Sequence, residues 1–296
     1  MSVESEFASS ELEGRLSAGK DWQEIVAWVG DLPPLPHVAS QAIGLIEDPH
    51  VNAGQLTDLL GRDAALAARI LKIANSAMFS RAREITTINQ AIMIIGFKAL
   101  KGIIVAATLR QLNRKMGQAE KLIWENSTCT AVGAHILCQQ MKRPYLDEVF
   151  LLGLLHDLGK LVMQGELGKD YEAVFRNYTP GKRFFEIEQE MLGFAHPLIG
   201  ALVAKKWNFP LETCQVILHH HDPIESISSE IDEKTVIVQA SDLIAHHLGF
   251  PKVEGYPNVD SDLKHALDLL KIPVDGREEL ISGIGQAFIE HASIFN

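Results

Sequence analysis

Apolar residues recur every three or four positions along almost the whole chain, while runs that alternate apolar with polar residues are scarce. Side chains three and four apart share a face of a helix, and alternate ones share a face of a strand, so the pattern predicts a nearly all-α fold. With 296 residues, 47% of them hydrophobic, the chain has apolar material for one large core or two packed side by side. The expected architecture is two packed helical lobes.

Local signals divide the chain. Residues 1–20 are polar and acidic and read as a flexible N-terminus. Asp21 can cap a short helix carrying Trp22, Ile25, Val26 and Val29. A helix beginning near Pro36 should use Val38, Ala42, Leu45 and Ile46 as its inner stripe and stop before Asp48-Pro49. Asn52 and Asp63 are caps for two more helices, with Gly61 between them expected in the left-handed conformation; the second should bury Leu66, Ile70, Ile73 and Ala74. Thr87 caps a pair, Ile88 to Ile95 and Phe97 to Leu112, separated by Gly96. The pattern resets near Gly117, which places a first lobe over 21–116 and a second over 117–250. C-terminal helices near Leu263 to Leu270 and Arg277 to His291 fill 251–296. The link at Gly117 is short, so the lobes should pack together.

Helix, glycine turn and helix over residues 52–75 is also the outline of a DNA-reading helix-turn-helix. The formal net charge of −11 disfavours phosphate contacts, so ordinary helix packing is the preferred reading and nucleic acid is not an expected partner. The start MSVESEF lacks the basic and apolar parts of a secretion signal, and Lys98 and Lys101 interrupt the longest apolar region. Neither export nor a membrane span is expected. Cys129, Cys138 and Cys214 form no CxxC pair and fit a reduced, cytoplasmic protein in which they fill the core.

Chemistry concentrates in the second half. Glu148 to Met163 reads EVFLLGLLHDLGKLVM, apolar on nearly every side as in a central buried helix, yet it carries His156, Asp157 and Lys160. An ionised carboxylate at such a place costs several kcal/mol, roughly, unless a cation or hydrogen-bond donors compensate it. The simpler solution is a neutral His156 bonded to a backbone carbonyl and Asp157 paired with Lys160; the other is a metal ion. His196 precedes Pro197 and so should stand at a helix entrance. His219, His220 and His221 sweep most of a helix circumference, and at least one must face inward; His220 is the preferred candidate. Asp242 shares a helix with core-like Ile237, Ala240, Leu243 and Ile244, with capping or pairing to His246 as the plainer role. Histidine and carboxylate without thiolate suit a divalent ion such as iron, manganese, zinc or magnesium. No organic cofactor is predicted.

His-Asp, then His, then His-His, then Asp on separate helices resembles the HD superfamily of metal-dependent phosphohydrolases. Closer is the resemblance to HDOD domains, carried by DLPPLPHVA, DAALAARILKIANSAMF, ITTINQAIMIIGFKAL, LLGLLHDLGKLVM, EQEMLGFAHPLIGALVAKKWNFP and VILHHHDP. The resemblance covers roughly Gly30 to Gly249 and implies an HD-like second lobe. It also implies metal ligands at His156, Asp157, His196, His220 and Asp242. In active relatives the first ligand is a histidine on an earlier helix, and LIWENSTCTAVGA puts Asn126 there. Asparagine offers an amide oxygen but no imidazole nitrogen, which weakens a two-metal site and leaves a one-metal site. Relatives that cleave cyclic di-GMP carry GYP after the paired histidines; here Gly255-Tyr256-Pro257 comes later, beyond Asp242.

Two functions follow. The first is a bacterial signal-transduction module without catalysis that acts through signalling proteins in trans. The alternative is a metal-dependent phosphohydrolase or phosphodiesterase acting on a nucleotide phosphoester, in which Lys160 would be catalytic, stabilising charge on phosphate oxygens.

Overall fold

The computed structural model describes residues 12, 14–17, 21–32, 35–48, 50–75, 85–112 and 117–295. Every regular element among them is an α-helix, fifteen in all. The first half holds α1 (Trp22–Asp31), α2 (His37–Ile46), α3 (Ala53–Leu60), α4 (Ala64–Ala74) and α5 (Ile88–Leu112). Their starts obey the sequence: Asp21, Asn52, Asp63 and Thr87 each accept a backbone N–H of the first turn. Asn52 and Gln55 do so reciprocally, both at 3.0 Å, which satisfies two otherwise unpaired donors. α5 is interrupted at Gly96, whose φ of 82° strains any residue with a Cβ, so the expected pair of helices is present.

Two local expectations are corrected. α2 turns Ala39, Ala42 and Ile43 fully inward, while Val38, Leu45 and Ile46 flank the stripe half-buried; the buried face is centred one position away from the predicted one. Gly61 is right-handed, with φ −64°. Its N–H, and those of Arg62 and Asp63, bond back to Thr57, Leu59 and Leu60, so the chain winds into α4 without a reversal. Leu56, Leu59 and Leu60 of α3 are buried along with Leu66, Ile70, Ile73 and Ala74 of α4, the ordinary packing foreseen for residues 52–75.

The second half contains α6 (Gln118–Gln140), α7 (Leu146–Leu155), α8 (Leu158–Leu167), α9 (Lys169–Arg176), α10 (Phe184–Leu192), α11 (His196–Lys206), α12 (Leu211–His219), α13 (Glu230–Leu248), α14 (Asp260–Leu269) and α15 (Arg277–Phe295). The single central helix expected over 148–163 is two helices. At Asp157 the backbone leaves helical geometry (φ −96°, ψ 17°); α7 lies along α6 and α8 turns to lie on α11.

The halves share one apolar core, in which Leu100, Ile103 and Ile104 of α5 continue into Phe150, Leu151 and Leu154 of α7. A second core joins α6, α7, α13, α14 and α15 through residues such as Leu137, Val149, Ile237, Leu267 and Ile284. The N-terminal part of the chain also crosses over. α1 packs on α11, Trp28 meets Phe194 at 6.0 Å, and the Lys206 ammonium donates to the carbonyls of Val29, Gly30 and Leu32 at the end of α1, where a cation complements the helix dipole. Residues 12 and 14–17, inside the stretch expected to be flexible, are docked: Leu12 is fully buried and Ser17 donates to Gly193 and Gln189 carbonyls. No described helix is long and apolar enough to cross a membrane.

Candidate metal centre

The break between α7 and α8 sets His156 and Asp157 side by side, fully buried. His196 is the first residue of α11, with Pro197 behind it, and is likewise fully buried. His220 and His221 follow the end of α12, and Asp242 sits midway along α13. Two glycines bring these elements together. A Cβ on Gly159 would stand 2.0 Å from the His196 carbonyl oxygen, and one on Gly200 would stand 3.0 Å from the Gly159 nitrogen. α8 and α11 therefore touch backbone to backbone, and that contact holds His196 Nε2 3.1 Å from Asp157 Oδ1.

His156, His196 and His220 are each held by their other nitrogen. His156 Nδ1 lies 2.7 Å from the Gly153 carbonyl, His220 Nδ1 2.6 Å from the Ile217 carbonyl and His196 Nδ1 2.7 Å from a Glu188 carboxylate oxygen. Carbonyl and carboxylate oxygens only accept, so each Nδ1 carries the proton and each Nε2 is turned to the centre. There His196 and His220 Nε2 are 3.3 Å apart, and His220 Nε2 is 3.8 Å from Asp157 Oδ1. His156 Nε2 is 3.5 Å from both Asp157 Oδ2 and Asp242 Oδ1. A histidine anchored at Nδ1 and free at Nε2 is how metal-ligating imidazoles are prepared.

The charge pattern suits the same role. Burial would raise the Asp157 carboxyl, but His156, Lys160 and His196 beside it hold it well below the usual range. Asp242 is likewise buried, and His246 and His156 keep it ionised. Burial, followed by the neighbouring imidazoles, pushes His220 and His221 well down, so both are neutral. Against its burial, His156 is raised by Asp157 and Asp242.

Both contacts of the simpler reading are present, since His156 meets a carbonyl and Lys160 donates to Asp157 Oδ2 at 2.8 Å. They leave His156 Nε2 and Asp157 Oδ1 buried without a hydrogen bond, a cost that a cation between them would remove. Asp157, His196, His220 and His221 each offer an atom within 4.8 Å of the others, and with His156 and Asp242 alongside they could hold a divalent ion. His221 joins His220 in the cluster, stacked on Phe185 at 4.6 Å. His219 turns away to Asp222. Asn126 commits its amide nitrogen to Asp242 Oδ1 at 2.9 Å.

The HDOD domain model matches residues 32–223. The chain belongs to the HDOD family. An uncharacterized protein of Treponema pallidum (strain Nichols) is 25% identical over 201 residues, which are 66% of this chain but only 38% of that protein, so this chain spans well under half of its relative. A Shewanella amazonensis SB2B crystal structure, provisionally described as a phosphohydrolase, superposes with a TM-score of 0.72 at 22% identity, covering 92% of this chain and 98% of that one. A Marinobacter aquaeolei VT8 structure, provisionally described as a signal transduction protein, gives 0.70 at 21% identity, covering 97% and 64%.

The HDOD centre also gathers residues that the sequence did not flag. Glu188 and Tyr171 are fully buried behind His196, invisible beforehand because their partners lie on other helices. The structure also moves Tyr256 to the site although it follows Asp242 in sequence. Its ring stacks on His246 at 3.9 Å and lines a cavity of about 500 Å³ with His220, His221, Asp242 and Arg183.

Proposed function

We propose that this HDOD chain is a non-catalytic signalling module, acting on partner proteins in trans, that holds a single divalent ion among His156, Asp157, His196, His220 and Asp242. The ion would neutralise two buried carboxylates and tie together the α7–α8 turn, α11, the end of α12 and α13. One observation carries the reading. The oxygens a second ion would need are already engaged, Asp157 Oδ2 by the Lys160 ammonium and Asp242 Oδ1 by the Asn126 amide. Bridging two ions is a common route to in-line attack on phosphorus, and the bonds from Lys160 and Asn126 to these oxygens support a one-ion site instead. The Marinobacter protein's description as a signal transduction protein supports the regulatory role. Iron, manganese and zinc suit the imidazole-rich donor set better than magnesium does.

A second reading, phosphoester hydrolysis, draws on the cavity beside His220, His221 and Asp242; Lys160, which lies against Asp157 rather than in that cavity's lining, would have to balance charge on a phosphate from there.

The test is elemental mass spectrometry on protein purified without added metal, next to an Asp157→Ala variant shown folded by circular dichroism. One equivalent of iron, manganese or zinc in the wild type, none in the variant and no turnover of nucleotide phosphoesters support the proposal. Absence of metal even after reconstitution overturns the metal centre. Turnover that disappears with Asp157→Ala replaces the first reading with the second.

A further inference from the structure

Glu188, at 0% exposure, holds three donors. Its Oε2 accepts the His196 backbone N–H and the His196 Nδ1–H, both at 2.7 Å. Its Oε1 accepts the Tyr171 hydroxyl at 2.5 Å. Burial, with Glu188 adding to it, raises Tyr171 well above the usual phenol range, so the hydroxyl stays a donor. A carboxylate so fully engaged has no freedom to rotate, and charge-assisted bonds of this kind are the strong ones. Through the backbone bond it fixes the first residue of α11. Through Nδ1 it fixes that residue's imidazole plane.

We propose that Glu188, backed by Tyr171, is the positioning residue of the metal centre. It locks His196 in the Nδ1–H tautomer and aims Nε2 at Asp157 Oδ1. This inference rests on the metal reading given above. Carboxylates in this relation to a ligating histidine raise metal affinity by roughly 10–100-fold. A plain helix cap, by contrast, would stabilise the metal-free and metal-bound protein equally and leave affinity unchanged.

The experiment titrates the 296-residue chain with cobalt(II) against a competing chelator, reading the visible absorption of the bound ion, for wild type, Glu188→Gln and Tyr171→Phe. Thermal melts of the metal-free proteins run in parallel. The expected result is a dissociation constant weakened roughly 10–100-fold in Glu188→Gln, a smaller loss in Tyr171→Phe and an altered cobalt spectrum in both. In the metal-free wild type, long-range proton–nitrogen NMR should place a proton on His196 Nδ1. Variants that bind cobalt as tightly as wild type with the same spectrum, or a bare Nδ1, overturn this inference alone. A wild type that takes up no cobalt overturns the metal reading and this inference with it. If Glu188→Gln does not fold, Tyr171→Phe decides, because it keeps the carboxylate and its bonds to His196: weakened cobalt binding supports the role and unchanged binding overturns it.

Discussion

Arg15 and Asp222, 207 positions apart, are joined by a two-pronged ion pair, with Arg15 also against His219. Asp222 lies two residues past His220, so the segment around Arg15 is fastened beside the candidate metal centre. Burial would raise the Asp222 carboxyl, yet His219 and Arg15 bring it down to about 2. The pair is partly exposed, with side chains 24% and 36% accessible, and such pairs contribute about 1 kcal/mol or less. Arg15→Ala is therefore expected to lower the melting temperature by only about 2 °C. It should also speed proteolysis ahead of α1. A variant cleaved no faster than wild type by limited trypsin digestion would show that the fastening is not made in solution.

Gly159→Ala tests the backbone contact that builds the site. The added Cβ would meet the His196 carbonyl at 2.0 Å and the Gly200 nitrogen at 2.8 Å, and neither can swing away. Urea unfolding should show a loss of about 3 kcal/mol or more, with metal uptake lost as well. Gly165→Ala is the control on the same helix. Nothing lies within 4 Å of its Cβ, and alanine there should be neutral or stabilising by up to about 1 kcal/mol.

Lys234 is a buried cation away from the histidine–aspartate cluster. Its ammonium, with side-chain exposure of 2%, bonds Glu148, Glu212 and Glu230 at 2.7, 2.5 and 2.7 Å and stands over the Tyr145 ring. Lys234→Met leaves three clustered carboxylates without their cation. The expected cost is about 3 kcal/mol, read by denaturant unfolding at neutral pH. A variant as stable as wild type would mean that the carboxylates relax into water at little cost.

His135 sets an acid limit. Burial lowers its pKa from 6.5 to about 4, so the folded protein keeps it neutral while the unfolded chain takes up a proton below about 6.5. Between those values the unfolded state binds more protons, and stability falls as pH drops from 6.5 toward 4, by on the order of 3 kcal/mol for this group. Chemical unfolding of wild type and His135→Gln across pH 7 to 4 should show a shallower decline in the variant. Parallel curves would contradict the assignment.

How much could be read beforehand follows from the range of each interaction. Capping at Asp21, Asn52, Asp63 and Thr87 involves partners within three residues, and Gly96 breaks α5 by its own φ, so these were legible locally. The break at Asp157 was not, because apolar periodicity runs through it and the change of direction belongs to packing on α11.

The sequence by itself determined an all-helical chain of the HDOD family and the residue types for a histidine–aspartate centre, because helix periodicity and short motifs are local properties. Only the tertiary structure decided which atoms meet. It chose His220 and His221 over His219, turned the Asn126 amide onto Asp242, set Glu188 behind His196, and brought Arg15 and Tyr256 to the rim. Each depends on where distant helices lie, and that is fixed by the close approach at Gly159 and Gly200 and by the shared core, which no spacing along the chain encodes.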